Sequence, residues 1–362
     1  NGFEPVEHEA PAAAGAPGGV TPPAVPYAIF LGSGHPPNVE AGRFIWEHLA
    51  PAVPEVEFRV LGSVCSRLEG VHGPNVRLLG FVEEAEMRRQ LRDCTVAINP
   101  LFTGAGTNLK MLQYLAAGAP IVTTKVGARG LDLVDGEDAT IAESGDFAAR
   151  LKELVADATR RKALGNAGRE KARSRYTWAA IAEHYSLVLL SLKPRVAATR
   201  RPRLLLLNDY EVTGSRGGGQ VRIHELGRQL SAEYDLELFC LGDDLKPSRT
   251  RIAEHAWQRS FPKTPAHREA EHNADVGQPI SVRDIVAAEW VCANEEFMAA
   301  FRATLPHVAD VVFEHVYMAP LARLVPSEIP VIYSSHNVEE DLKRDLLRPR
   351  VDGERWARRA AE

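Results

Sequence analysis

Short, wholly apolar runs alternate along the chain with longer stretches of helical periodicity. Tyr27–Leu31 (YAIFL) is apolar at every position, which marks a strand covered on both faces. A turn at Gly32–Asn38 follows, and Val39–Leu49 carries helical spacing with Asn38 placed as its N-cap. The same pattern gives strands at Glu57–Leu61, Val76–Leu79, Thr95–Asn99, Pro120–Thr124 and Ala139–Ala142. Helices fall at Glu84–Arg92 and Asn108–Ala117, the second stopped by Gly118-Ala-Pro120, and helices dominate from there to about Leu192. Residues 7–26, rich in Ala, Pro and Gly, read as a loose surface segment.

Lys193–Arg203 (KPRVAATRRPR) is basic and lacks apolar periodicity, so it reads as a linker. Alternation resumes at Leu204–Leu207 and passes through a glycine-rich turn into a helix at Val221–Ser231. A strand at Leu236–Leu241, a helix at Ala293–Arg302 and strands at Asp310–Glu314 and Val331–Ser335 complete this region, while Arg249–Ala288 is too polar to assign. Two regions of strand–helix alternation predict an α/β chain of two Rossmann-like, doubly wound parallel-sheet domains.

With 362 residues, the length suits two domains at roughly 150 residues each. The formal charge of −5, from 43 basic and 48 acidic residues, argues against nucleic acid as a partner. No apolar run approaches the ~18 residues of a membrane span. Cys65, Cys94, Cys240 and Cys292 form no CxxC pair, which speaks against a zinc site or a disulfide framework and for a reducing, cytoplasmic compartment. Asn1 begins the sequence with no signal-peptide pattern, and residues 354–362 form a helical stretch with no stop signal. Both ends read as cuts in something longer.

The most informative stretch is Asn99–Thr124, NPLFTGAGTNLKMLQYLAAGAPIVTT. A strand ends at Asn99, a loop carries Gly104 and Gly106, and a helix opens near Thr107 or Asn108. Glycines let backbone approach a ligand, and the free amides at a helix start favour an anion. Lys110 adds charge in the first turn, and Gln113, further along, has the reach for a sugar hydroxyl. Gly-x-Gly alone is common in α/β loops and decides nothing. The whole stretch, however, resembles the nucleotide-sugar loop of family-4 glycosyltransferases of the GT-B fold (group 1 glycosyltransferases). Phe30–Ala41 (FLGSGHPPNVEA), Asn75–Val82 (NVRLLGFV), Val126–Leu131 (VGARGL) and Asn1-Gly2-Phe3 resemble further segments of that family's donor lobe. The family's donor loop usually carries two glutamates, which fall here on Ala105 and Gln113. An amide at 113 keeps a hydrogen bond to a ribose but loses the charge-assisted one.

Asn208–Gly219 (NDYEVTGSRGGG) again follows a strand and precedes a helix, and Gly217, Gly218 and Gly219 permit close approach to a diphosphate or simply make a flexible turn. Phe313–Pro320 (FEHVYMAP) and Pro330–Glu339 (PVIYSSHNVE) resemble the acceptor lobe of the same enzymes. His336 just follows an apolar strand, where α/β proteins hold their ligands. Under the resemblance it is the first catalytic candidate, with His315 and its neighbour Glu314 behind it.

The resemblance therefore implies GT-B type lobes: a donor lobe over 1–192, a linker over 193–203 and a truncated acceptor lobe over 204–362. Single enzymes of the family run acceptor lobe first, so this order implies a tandem protein cut at both ends, with a circular permutant as the rival. It further implies hexosyltransferase-like transfer from a UDP- or GDP-sugar to a glycan or lipid-linked acceptor hydroxyl, with retention and no obligatory metal or other cofactor. Polysaccharide assembly and peripheral contact with the inner face of a bacterial membrane also come from the family. With each module supplying one lobe, the chain itself is expected to be inactive. Two rivals stand beside this reading. A degenerate, non-catalytic nucleotide-sugar or glycan-binding module fits the missing glutamates, whereas a sugar-nucleotide epimerase is disfavoured by the lack of Gly-x-Gly-x-x-Gly at a first strand and of a Tyr-x-x-x-Lys pair.

Overall fold

The computed structural model describes residues 2–3, 25–68, 70, 73–104, 107–192, 201–214, 218–275 and 282–334. Two units part between Ala180 and Ile181. In the first, β1 (Tyr27–Leu31), β2 (Glu57–Leu61), β3 (Val76–Gly80), β4 (Val96–Asn99), β5 (Ile121–Thr123) and β6 (Thr140–Ile141) form a sheet of order β3-β2-β1-β4-β5-β6. Every neighbouring pair in it is parallel. Helices α1 (Pro36–Phe44), α2 (Ala50–Ala52), α3 (Glu84–Asp93), α4 (Leu109–Ala117), α5 (Lys125–Ala128), α6 (Phe147–Ala156) and α7 (Ala158–Arg175) connect and cover the strands.

The unbroken apolar runs follow from this cover. Ala28 and Phe30 pack with Phe58, Ile98 and Phe147 on one face, while Ile29 and Leu31 pack with Met111, Leu112 and Tyr114 on the other. Each such large side chain taken fully out of water contributes roughly 1.5–3 kcal/mol, so a strand polar on either face would lose its place. Gly118, at φ 69° and ψ 25°, ends α4 in the left-handed cap that the sequence predicts. The start of α1 differs from expectation. It begins at Pro36, not Val39, because Pro36 and Pro37 supply the first-turn φ and have no N–H to lose. His35 takes the N-cap position, and Ile45–Leu49 continues as a π-helical turn.

The second unit contains β7 (Arg203–Leu207), β8 (Asp235–Gly242), β9 (Ser248–Ala253), β10 (Ala256–Pro262), β11 (Asp310–Phe313) and β12 (Val331–Tyr333), in the order β12-β11-β7-β8-β10-β9. Its helices are α9 (Gly218–Leu230), α10 (Pro265–Asp275), α11 (Arg283–Trp290) and α12 (Glu295–Thr304), preceded by α8 (Trp178–Leu192). Ile181, Ala182, Tyr185 and Leu189 of α8 pack with Leu204, Leu206, Ile223 and Leu238. Residues 181–192, which the sequence pattern assigns to the first lobe, thus belong to the second core. The unassigned stretch opens with a hairpin: β9 pairs antiparallel with β10, the one departure from parallel pairing among the described strands. As an edge strand β9 carries Arg249 and Arg251 outward and shows little apolar pattern.

Both sheets reverse winding direction beside their first strand. In the first unit the chain winds outward from β1 through β2 and β3, then restarts at β4 on β1's other side. In the second it winds from β7 through β8 to β10 and β9, then restarts at β11 beside β7. A crevice opens at the carboxyl ends of the strands at such a switch, and ligands of open α/β sheets bind there.

Candidate functional site

The switch point of the first unit opens into a cleft of about 450 Å³. Leu31, Gly32, Ser33 and Asn38 form its β1 side, Leu61, Gly62 and Ser63 its β2 side, and Thr107, Asn108, Lys110 and Gln113 its α4 side. The phenol of Tyr114 on α4 accepts a hydrogen bond from Leu31 N at 2.8 Å, which seats α4 against the end of β1. Asn108 stands at the helix N-cap position without capping it. Its amide instead donates to the carbonyls of Val126 (3.3 Å) and Gly127 (3.0 Å), tying the loop before α4 to α5. The helix start is therefore left with no cap from Asn108, and its positive end faces the cleft.

Lys110 projects from the first turn of α4 and donates to Asn38 Oδ1 at 2.5 Å. Its ammonium also lies 4.2 Å from the centroid of the Phe30 ring. Burial pulls its pKa from the ordinary lysine value down to about 7. Among the described residues no carboxylate pairs with this largely desolvated amine, which is poised to gain a proton when an anion enters. Asn38 is held in turn by Ser33, whose Oγ accepts from Asn38 Nδ2 at 2.9 Å. On the outer wall Phe81 is 91% exposed beside Val82 and Met87, an apolar ledge suited to a flat ring.

At the switch point of the second unit, Asp209 and His315 follow the ends of neighbouring strands β7 and β11. Their Oδ1 and Nδ1 atoms lie 2.9 Å apart, both side chains largely buried. Tyr210 and Tyr317 flank the imidazole with ring centroids at 5.9 and 4.8 Å. Next to it Glu314, fully buried, accepts from Tyr185 Oη at 3.0 Å and from Arg222 Nη1 at 3.4 Å. Arg222 Nη2 donates to Ser334 Oγ at 3.0 Å. Burial first, and then the Glu314 carboxylate, push the Tyr185 phenol well above its ordinary range, so it remains a donor.

Of the residues singled out from sequence, Thr107, Asn108, Lys110 and Gln113 converge on the first cleft. Gly104 lies in the loop before it, its carbonyl accepting from Arg129 at 2.6 Å. Gly218 and Gly219 open α9, and His315 occupies the second switch point. Gly106, Gly217 and His336 lie outside the described residues. Asn38, Phe81, Asp209 and Arg222 escaped sequence reasoning as site residues. Asn38 resembled an ordinary cap, and Phe81 one more apolar position. Asp209 did carry a signal, an acid immediately beyond an apolar strand. Among the described residues no helix is long and apolar enough to cross a membrane.

Residues 25–157 match the family model described as glycosyl transferases group 1. The chain is 32% identical over 112 residues to a phosphatidyl-myo-inositol mannosyltransferase of Mycobacterium leprae (strain TN), covering 30% of this chain and 29% of that protein. It is 26% identical over 141 residues to an uncharacterized glycosyltransferase of Methanocaldococcus jannaschii, covering 36% of this chain and 40% of that one. The matched region thus spans well under half the length of these curated relatives. Among solved structures, Anabaena HepE in complex with UDP and glucose aligns at 16% identity and a TM-score of 0.40, over 46% of this chain and 48% of that one. TarM aligns at 18% identity and a TM-score of 0.38, over 45% and 34%.

Proposed function

We propose, on the match of residues 25–157 to the group 1 glycosyltransferases, that the first unit binds the nucleoside diphosphate of a sugar donor in its switch-point cleft. The observation that carries this is Lys110, a buried amine beside the uncapped start of α4. A diphosphate placed there meets the helix amides and the lysine together. Phe81 supplies the face on which the base stacks, and Gln113, exposed at the cleft rim, meets the ribose. The second unit is an acceptor-type lobe in which His315, and by resemblance His336, stand near the reacting sugar. In that second module's own site, distinct from the first unit's cleft, Gly217, Gly218 and Gly219 would approach the diphosphate.

In the transfer, the acceptor oxygen bonds to the anomeric carbon while that carbon's bond to the diphosphate breaks. Charge accumulates on the departing diphosphate, and preorganised donors such as the α4 amides and Lys110 stabilise it. The full reading is hexosyl transfer from a UDP- or GDP-sugar to a glycan or lipid-linked hydroxyl, with retention and no obligatory metal. The donor-type unit precedes the acceptor-type unit, the reverse of the family's single enzymes. We therefore take the two units, which part between Ala180 and Ile181 rather than at the 193–203 stretch, as lobes of successive modules, and expect the chain alone to bind nucleotide without turnover.

Calorimetric titration of the chain with UDP, GDP, ADP and CMP tests this. Saturable binding of one nucleoside diphosphate is expected, and heats at baseline for all four would overturn it. The glutamine at 113 favours a second reading, a degenerate, non-catalytic nucleotide-sugar or glycan-binding module, whose extreme is a scaffold with a dead nucleotide site. Gln113→Glu separates the two: a working site gains affinity a few-fold, since one charge-assisted bond replaces a neutral one. A dead scaffold shows no change in the same titration.

A further inference from the structure

Helix α1 borders two clefts of the first unit. Asn38 lines the nucleotide cleft, whereas Val39, Glu40, Arg43 and Phe44 line a second one of about 860 Å³ that shares no lining residue with it. Arg67 and Phe102 join the second cleft from the β2–β3 and β4–α4 connections. The π-helical turn after α1 brings Glu47 and His48 to it. Pro51 accounts for that turn: it has no N–H to give the Glu47 carbonyl, the helix widens, and Ala50 N donates to Ile45 O. Ile45 and Leu49 stay in the core while Glu47 and His48 are turned out to solvent.

The lining has a fixed apolar floor and a mixed polar rim. Phe44 rests on buried Phe147 with ring centroids 6.1 Å apart and meets Phe102 edge-on at 4.8 Å, and Phe44 and Phe102 are both half-buried. The stem of Arg67 lies over Gly34, where an added Cβ would come within 3.6 Å of Arg67 Cγ. Among the described residues neither Arg43 nor Arg67 has a partner for its guanidinium. Glu40 Oε2 accepts from Thr103 Oγ1 at 2.9 Å, which fixes the carboxylate and leaves it lone pairs to spare.

We propose that this second cleft is a carbohydrate site, holding a pyranose of a glycan with its ring on Phe44 and Phe102 and its hydroxyls between Arg43 and Arg67 on one side and Glu40 and Glu47 on the other. The mixed charge decides the ligand class. A lone anion would meet two carboxylates as well as two guanidiniums, and a cation would meet the reverse. A sugar hydroxyl both donates and accepts, so it satisfies both kinds of group at once, while the C–H face of the ring covers aromatic carbon. The volume lies within the range of small-molecule sites and leaves room for more than one ring. None of this depends on nucleotide binding in the first cleft.

Saturation-transfer difference NMR of the full chain with the methyl α-pyranosides of glucose, mannose, galactose and N-acetylglucosamine tests the site. At least one glycoside is expected to give a saturable signal that persists in excess UDP, GDP or inorganic phosphate. Arg43→Ala, at an exposed position, is expected to weaken that binding about tenfold. Phe102→Leu, which keeps apolar bulk and removes the ring, is expected to weaken it several-fold. Displacement by phosphate would make this an anion site, and displacement by UDP or GDP would assign the sugar to the nucleotide cleft; either overturns the proposal. So would the lack of a saturable signal from all of the glycosides, or equal binding by Arg43→Ala. If a glycoside binds and no nucleotide does, the donor reading falls and this site stands.

Discussion

Replacing Lys110 with alanine is expected to weaken nucleoside-diphosphate binding by about one to two orders of magnitude, the loss of a charged hydrogen bond worth roughly 1.5–3 kcal/mol. The charge is not present in advance. With its pKa pulled down to about 7 by burial, Lys110 is largely neutral at pH 8 in the empty cleft. A diphosphate stabilises the ammonium and raises that pKa again, so binding at pH 8 takes up most of a proton. Titration in buffers of differing ionisation enthalpy reads this uptake. It is expected to vanish in Lys110→Ala and to shrink below pH 7, where the lysine is already charged. Equal affinity in the two proteins would remove Lys110 from the site.

The same shift acts on stability. In the unfolded chain Lys110 titrates near the ordinary value of about 10.4, so between there and about 7 the unfolded state binds the extra proton. Its contribution therefore raises stability as pH increases across that window. The full penalty is present below about 7.

Gly62→Ala is expected to cost the first unit about 3 kcal/mol or more. Gly62 has φ 99° and ψ −175°, a backbone conformation open in practice to glycine alone. An added Cβ would also lie 2.3 Å from the Gly32 carbonyl oxygen, a backbone atom held by the β1–β2 junction. Gly32 N donates to Leu61 O at 2.9 Å and Gly62 N to Gly80 O at 2.7 Å, so neither strand end yields cheaply. For a unit of this size the loss corresponds to roughly 6–12 °C in Tm. The check is a urea series followed by hydrogen exchange of the β1 and β2 peptides. Gly145→Ala serves as its control, since nothing lies within 4 Å of the Cβ added there. Matching midpoints for the two variants would refute the expectation. Since Gly32 and Gly62 both line the cleft, the damage reaches nucleotide binding as well.

Strand–helix alternation, the unbroken apolar strands and the start of α4 with Lys110 in its first turn were legible in the sequence. Each depends on residues close together in the chain: burial on both faces demands an apolar run, and a strand–turn–helix demands its glycines and its first-turn lysine. The polar edge strand β9 was not legible, because an exposed edge imposes no apolar pattern. Nor was the assignment of residues 181–192 to the second core, since an apolar helix does not say which sheet it will cover.

The remaining chemistry arises from parallel register and from the order of strands in each sheet. The contact of Asn38 with Lys110 spans 72 positions, and those of Arg222 and Tyr185 with Glu314 span 92 and 129. Local periodicity carries no information on which strand ends become neighbours. That follows from how the apolar faces of whole elements are buried together. The types of residue available for chemistry were therefore set by the sequence, and packing alone determined that Lys110 lost its water and that His315 met Asp209.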